Sequence, residues 1–186
     1  MCKGPLLITP KFSCDGKYRY TLHVALEDTV IKKVERSLCA FMLNPSKAGS
    51  EVNGKRILDP TVTRMSKRAR RLEYSSLYVL NLFAIISPDP KILYESTNPV
   101  GAENDAYIEE ILALKPDVVV AWGTHGKFLG RDLECLQMIY KHNITPLCLG
   151  LTQGGFPRHP LPIAYSESFR KYEGKRSAGD GLRSAK

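Results

Sequence analysis

The sequence holds several short polar segments, each beginning where an apolar run ends, whose side chains could carry hydrolytic or base-recognising chemistry. In Leu43-Asn44-Pro45-Ser46-Lys47 a side-chain amide, a hydroxyl and an ammonium follow directly on the run Ser37–Leu43. The Asn44 amide can position a water or grip a base edge, and Asn44 and Ser46 can equally serve only to cap a turn. Asp59-Pro60-Thr61 opens a basic stretch. Asp59 there can cap a helix with Pro60 in its first turn, or its carboxylate can activate water or steady a developing cationic sugar. Asn81 and Phe83 end a second apolar run, and Trp122-Gly123-Thr124-His125-Gly126 ends a third. Gly123 permits close approach of backbone to a ligand, or simply a tight turn, with His125 exposed. The most informative segment is Pro157-Arg158-His159-Pro160-Leu161-Pro162, where three prolines in six residues stiffen the chain and hold Arg158 and His159 in fixed directions. A histidine on a stiff loop suits a positioned hydrogen-bond donor, and it also suits a solvent-exposed connection.

Charge narrows the class of partner. Of 186 residues 27 are Lys or Arg and 19 Asp or Glu, a net charge of +8 that attracts polyanions. Arg64, Lys67, Arg68, Arg70 and Arg71 place five cations in eight residues with no acid between them. Such a run is either a solvated face or a set of phosphate contacts; the second reading makes Arg64, Lys67, Arg68 and Arg71 DNA-backbone contacts with steep salt dependence. The five cysteines, Cys2, Cys14, Cys39, Cys135 and Cys148, include no C-x-x-C pair, and the four histidines include no H-x-x-x-H. Buried free thiols are expected rather than a disulfide framework or a zinc site, and no metal or cofactor is required. No apolar run reaches membrane-spanning length and the first residues lack a signal-peptide pattern, so a cytoplasmic location is expected.

The elements that must position these groups follow from periodicity. Residues 12–34 alternate loosely and predict an antiparallel strand or hairpin, peripheral, at one sheet edge. Residues 37–43, 76–83, 117–122 and 144–149 are apolar without alternation, as strands covered on both faces are. Helical spacing predicts helices over 60–72 (Val62, Met65, Ala69 and Leu72 inward), 104–114 (Ile108, Ile111 and Leu112 inward) and 129–141 (Leu133, Leu136, Ile139 and Tyr140 inward), with a short helix near 164–172. The alternation implies one three-layer α/β/α domain over residues 1–173, with a mainly parallel four-stranded central sheet and an N-terminal β hairpin. Ligands bind such sheets beyond the carboxyl ends of the strands, so the loops starting at Asn44, Asn81, Gly123 and Thr152 should converge on one crevice. The tail from Gly174, poor in apolar residues and carrying +3, is expected to be disordered.

The ordered series LNPSKA (43–48), DPTVTR (59–64), NLFA (81–84), NPVGAEND (98–105), AWGTHG (121–126) and PRHPL (157–161) resembles a bacterial and phage family of domains of unknown function, over roughly residues 38–172. More distantly the arrangement resembles the uracil-DNA glycosylase superfamily, in which a G-x-N-P or G-x-D-P loop follows the first strand and an H-P-S or N-P-S loop the last. Met42-Leu43-Asn44-Pro45 and Arg158-His159-Pro160-Leu161 stand in those places, with Met42 where the glycine is usual and Leu161 where the serine is. The resemblance implies a monofunctional DNA glycosylase that flips a base out of double-stranded DNA, with Asn44, Asp59 and His159 catalytic. Ser46, Lys47, Asn81, Phe83, Gly123, His125 and Arg158 would then bind substrate, Phe83 as the floor of the base pocket. The altered motifs, and a polar 49–58 segment able to contact a sugar, point to a modified phage base such as hydroxymethylated or glucosylated cytosine, and so to antiphage defence. The competing expectations are a non-catalytic nucleic-acid-binding module on the same fold and a hydrolase of free nucleotides or nucleosides.

Overall fold

The computed structural model describes residues 7–26 and 36–174. Cys2, the stretch 27–34 of the expected hairpin region and the expected disordered tail beyond Gly174 lie outside the described residues.

Strands β1 (Ile8–Phe12) and β2 (Arg19–Ala25) form an antiparallel hairpin, and β3 (Ser37–Met42) is the first parallel strand. A two-stranded ribbon of β4 (Glu51–Val52) and β5 (Lys55–Arg56) then leads to helix α1 (Pro60–Arg71) and strand β6 (Ser76–Asn81). The short helix α2 (Ile92–Glu95) precedes α3 (Asn104–Ala113), β7 (Asp117–Val120), a kinked 3-10 segment (Thr124–Gly130) and α4 (Arg131–Lys141). Two short strands, β8 (Leu147–Cys148) and β9 (Arg170–Lys171), complete the order.

Hydrogen bonding arranges the main sheet as β1-β2-β6-β3-β7-β8-β9. Among the described residues it has seven strands, where a four-stranded central sheet with an N-terminal hairpin is expected. The inner four, β6-β3-β7-β8, are mutually parallel, while the hairpin adds two antiparallel strands at one side and β9 one at the other. The antiparallel hairpin forms one edge of the sheet as expected, but it is no peripheral addition: β2 lies inside the sheet, paired to both β1 and β6, and buries Tyr20, Leu22 and Val24.

Successive side chains of each strand point to opposite faces, and both faces are covered. From β3, Leu38, Ala40 and Met42 pack with Val62, Met65 and Ala69 of α1, while Cys39 and Phe41 pack with Ile108 and Leu112 of α3 and Cys135 and Ile139 of α4. Each of the Leu, Ile, Val, Met and Phe side chains among them contributes about 1.5–3 kcal/mol by leaving water. Helix α1 starts where the sequence predicts: Asp59 Oδ1 accepts a hydrogen bond from Val62 N at 2.8 Å, with Pro60 in the first turn. Leu72, Leu133 and Tyr140 are exposed rather than inward. Cys39, Cys135 and Cys148 are buried thiols, whereas Cys14 is exposed.

The helix expected near 164–172 is absent; residues 164–169 form an irregular strap that ends in β9. Its carbonyls are taken by a side chain instead of by a helix. Arg68, 3% exposed, donates from Nη2 to Ala164 O at 2.7 Å and from Nη1 to Glu167 O at 2.5 Å and Tyr165 O at 3.3 Å.

Candidate functional site

The carboxyl ends of β3, β6 and β7 and the loop after β8 open into one cavity of about 630 Å³. Its wall includes Asn44, Asn81, Gly123 and Thr152, so the four loops meet on one side of the sheet as parallel strands require. Ser46, Asp59, His125, Arg158 and His159 also line it. Lys47 and Phe83 do not. Lys47 is exposed outside the cavity, and Phe83 is fully buried in the core against Phe128, with ring centroids 5.9 Å apart. The aromatic of the cavity wall is Trp122, seated edge-on to Phe41. The polar 49–58 segment, expected to contact a sugar, likewise contributes no residue to the wall.

Asn44 is oriented through its amide nitrogen, which donates to Ser87 O at 2.9 Å. Its Oδ1 accepts nothing among the described residues and is left for a ligand or a water. Asp59 combines both roles that its position allows. While Oδ1 caps α1, Oδ2 accepts from Ser46 Oγ at 2.5 Å, fixing the carboxylate at the cavity wall. With both oxygens engaged it is better suited to electrostatic work than to accepting a proton.

His159 sits on a loop clamped at both ends. Gly123 N donates to Pro157 O at 2.9 Å, Arg158 N donates to Gly150 O at 2.8 Å, and Arg64 Nε donates to Ile163 O at 3.2 Å. Desolvation of the ring, whose outer edge remains open to solvent, holds the His159 pKa below the ordinary histidine range, and the negative charge of Asp59 opposes that shift. The imidazole is thus neutral at pH 7. Leu161 N donates a long hydrogen bond of 3.4 Å to Nδ1, which makes Nδ1 the acceptor and leaves Nε2 as the N–H donor. His125 is held through Nδ1 by the Tyr94 hydroxyl at 2.8 Å.

Asn81 is 1% exposed, and neither its Oδ1 nor its Nδ2 has a partner. An unpaired buried amide is costly unless a ligand completes it. The backbone behind it is held by buried side chains: Asn104 Nδ2 donates to Asn81 O at 3.1 Å and to Leu82 O at 3.2 Å, and Arg131 Nε donates to Leu82 O at 2.9 Å.

Gly123 adopts φ 71° and ψ −165°, a conformation essentially restricted to glycine, with open space where a Cβ would stand. A Gly123→Ala substitution therefore meets no clash but strains the backbone. It is expected to cost about 1–3 kcal/mol in urea unfolding and to lower ligand affinity by shifting the Pro157 anchor.

The five cations of α1 are not the solvated row that their spacing suggests. Arg68 is buried in the strap, Arg64 holds Ile163, and Arg70 Nε donates to Leu26 O at 3.0 Å. Arg64 and Arg71 stack on Tyr165 at 4.4 and 4.3 Å. Lys67 and Arg71 are exposed, and these two remain for a polyanion. Arg68, expected to contact a DNA backbone, has all its hydrogen-bonded nitrogens turned inward.

The cavity wall also holds residues to which sequence reasoning gives no role, among them Trp122, Ser87 and Arg19. Arg19 opens β2, is 1% exposed, and reaches the cavity with a guanidinium whose Nη1 donates to Ala48 O at 2.6 Å. Its signal in the sequence is faint: one arginine among alternating tyrosines. Among the described residues no helix is long and apolar enough to cross a membrane.

Residues 19–161 match the family described as "Protein of unknown function (DUF1643)". The chain belongs to that family. The matched span includes every residue of the cavity wall from Arg19 to His159 and stops one residue short of Pro162. No curated protein and no solved structure matches the chain.

Proposed function

We propose that this DUF1643 protein is a monofunctional DNA glycosylase on a uracil-DNA-glycosylase-like fold, hydrolysing the bond between C1′ and the nitrogen of a flipped-out base. The observation that carries the reading is the meeting, in one cavity at the strand carboxyl ends, of Asn44, Asp59 and a neutral His159 from loops far apart in the chain. In such a reaction the nucleotide leaves the stack at a cost of a few kcal/mol. As the glycosidic bond breaks, the sugar turns cationic and the base takes the bonding electron pair. Asp59, close by and fixed by Ser46, steadies the sugar. The His159 Nε2–H donates a hydrogen bond to the departing base and so stabilises the negative charge that develops on it. The free Oδ1 of Asn44 accepts a hydrogen bond from the attacking water, whose oxygen bonds C1′ while the proton it gives up passes through solvent to the departed base anion, so that one water is consumed and the neutral base is released. The two unpaired polar atoms of Asn81 read the edge of the base.

The cavity volume lies in the range of small-molecule sites and exceeds the needs of one pyrimidine ring. That supports a base carrying an extra group, such as a hydroxymethylated or glucosylated cytosine of phage DNA, and a role in antiphage defence. Double-stranded DNA would be held through Lys67, Arg71 and the net positive charge. The test is incubation with DNAs carrying normal, uracil-containing and phage-type modified bases, scored for alkali-labile abasic sites; release from one class supports the reading, and release from none contradicts it.

A second reading, hydrolysis of a free nucleotide or nucleoside, is favoured by the inward use of Arg64, Arg68 and Arg70, which removes much of the basic face that a duplex would need. Activity independent of polymer length would establish it.

The histidine state predicts a pH profile. Since the folded pKa of His159 is depressed and the neutral ring is the donor in use, activity should fall only as pH drops below the ordinary histidine range and stay level through neutrality. A kcat/KM profile with an acid limb near or above pH 7 would contradict the assignment.

A further inference from the structure

We propose that Arg19 is the anion-binding group of the cavity and that it takes a phosphoryl oxyanion of the ligand, either the phosphodiester of a polynucleotide or the phosphate of a free nucleotide. The inference goes beyond base release and does not depend on it. Arg19 forms no salt bridge among the described residues, and its enclosed Nε has no hydrogen-bond partner. Nη2 makes no hydrogen bond among the described residues either; only Nη1 is engaged, with Ala48 O. Burial lowers its pKa to about 10 while the charge of Asp59 opposes that shift, so the guanidinium remains charged at neutral pH. A buried cation without a partner is destabilising, and a fork of N–H donors matches the oxygens of a phosphate.

The surroundings prepare the group. The Ala48–Gly49 backbone lies flush on the hairpin: a Cβ on Gly49 would stand 3.0 Å from Leu22 Cδ1 and 3.1 Å from Pro10 Cβ. The carbonyl that fixes the guanidinium therefore has little freedom. Thr61 and Val62, in the first turn of the 12-residue α1, line the same cavity and bring the positive end of the helix dipole to it. Among the described residues Asp59 is the one carboxylate of the wall, and its oxygens are already bound by Ser46 and Val62 N, which leaves the donors of Arg19 for the ligand.

The experiment is a thermal-shift titration of the full chain with inorganic phosphate against chloride at constant ionic strength, for wild type, Arg19→Gln and Arg19→Lys. The expected result is a phosphate-specific rise in Tm for wild type, with apparent affinity weakened at least about tenfold in Arg19→Gln and less in Arg19→Lys. If Arg19→Gln does not fold, Arg19→Lys alone decides, since it keeps the charge but loses the fork. Parallel titrations with a nucleoside 5′-monophosphate and a short oligonucleotide distinguish the source of the phosphate by which one acts at lower concentration. An equal response to phosphate and chloride, or an unchanged response in the variants, overturns the proposal. Base release without any effect of phosphate leaves the glycosylase reading standing and removes this one; phosphate binding without base release from any DNA does the reverse.

Discussion

Replacing His159 by alanine is expected to lower base release by about 10²–10³-fold in kcat, the usual loss when one positioned donor to developing negative charge is removed. The fold should survive, because the clamps on its loop are backbone and arginine contacts that do not use the imidazole: Gly123 N to Pro157 O, and Arg64 to Ile163 O. Substrate affinity should change little, since the donor is needed most as the base departs. Asn44→Ala should give a similar loss through the water. It carries a structural component as well, because the Asn44 amide also holds Ser87 O. Measuring Tm beside kcat separates the two: His159→Ala keeps its Tm, and Asn44→Ala loses some. Unchanged kcat in His159→Ala would remove the histidine from the mechanism.

Arg68→Ala is expected to destabilise the protein by about 3 kcal/mol, equivalent to a fall of about 6–12 °C in Tm. One guanidinium holds three carbonyls of the 164–167 strap, and nothing else among the described residues bonds to those oxygens save Glu167 N, which donates to Ala164 O at 3.2 Å. The strap continues directly from the His159 loop, so catalysis should decline with stability. Exposed Lys67 behaves oppositely: Lys67→Ala should leave Tm unchanged and reduce the salt dependence of DNA binding by about one unit of slope. Thermal melts and salt-dependent binding curves for both variants check this pair. A stable Arg68→Ala protein with weakened DNA binding would show Arg68 to be a surface contact after all.

The two arginine roles mark the limit of what the sequence discloses. The inner strands, α1 with its Asp59 cap, and the convergence of Asn44, Asn81, Gly123 and Thr152 are legible because apolar runs and cap chemistry are local, and parallel strands end on one side. The use made of a charged side chain is not local. Arg64, Arg68, Arg70 and Arg71 read alike at helical spacing, and only the returning strap decides that Arg68 turns inward. That strap also denies residues 164–172 their expected helix, since the carbonyls it would use are already engaged. Phe83 follows Asn81 by two residues and so suggests a pocket floor, yet it packs on Phe128 while Trp122 takes the cavity wall. The hairpin's place at one sheet edge is legible, but the pairing of β2 with β6, more than fifty residues away, is not, and Arg19 stays hidden with it.

The measurement that tests the central claim most directly is mass spectrometry of what the protein releases from phage-type modified duplex DNA, with Asn44→Ala and His159→Ala in parallel. The account predicts a free modified base and an intact strand bearing an abasic site, with both products lost in the two variants. No released base from any DNA, or release only from mononucleotides, would contradict it.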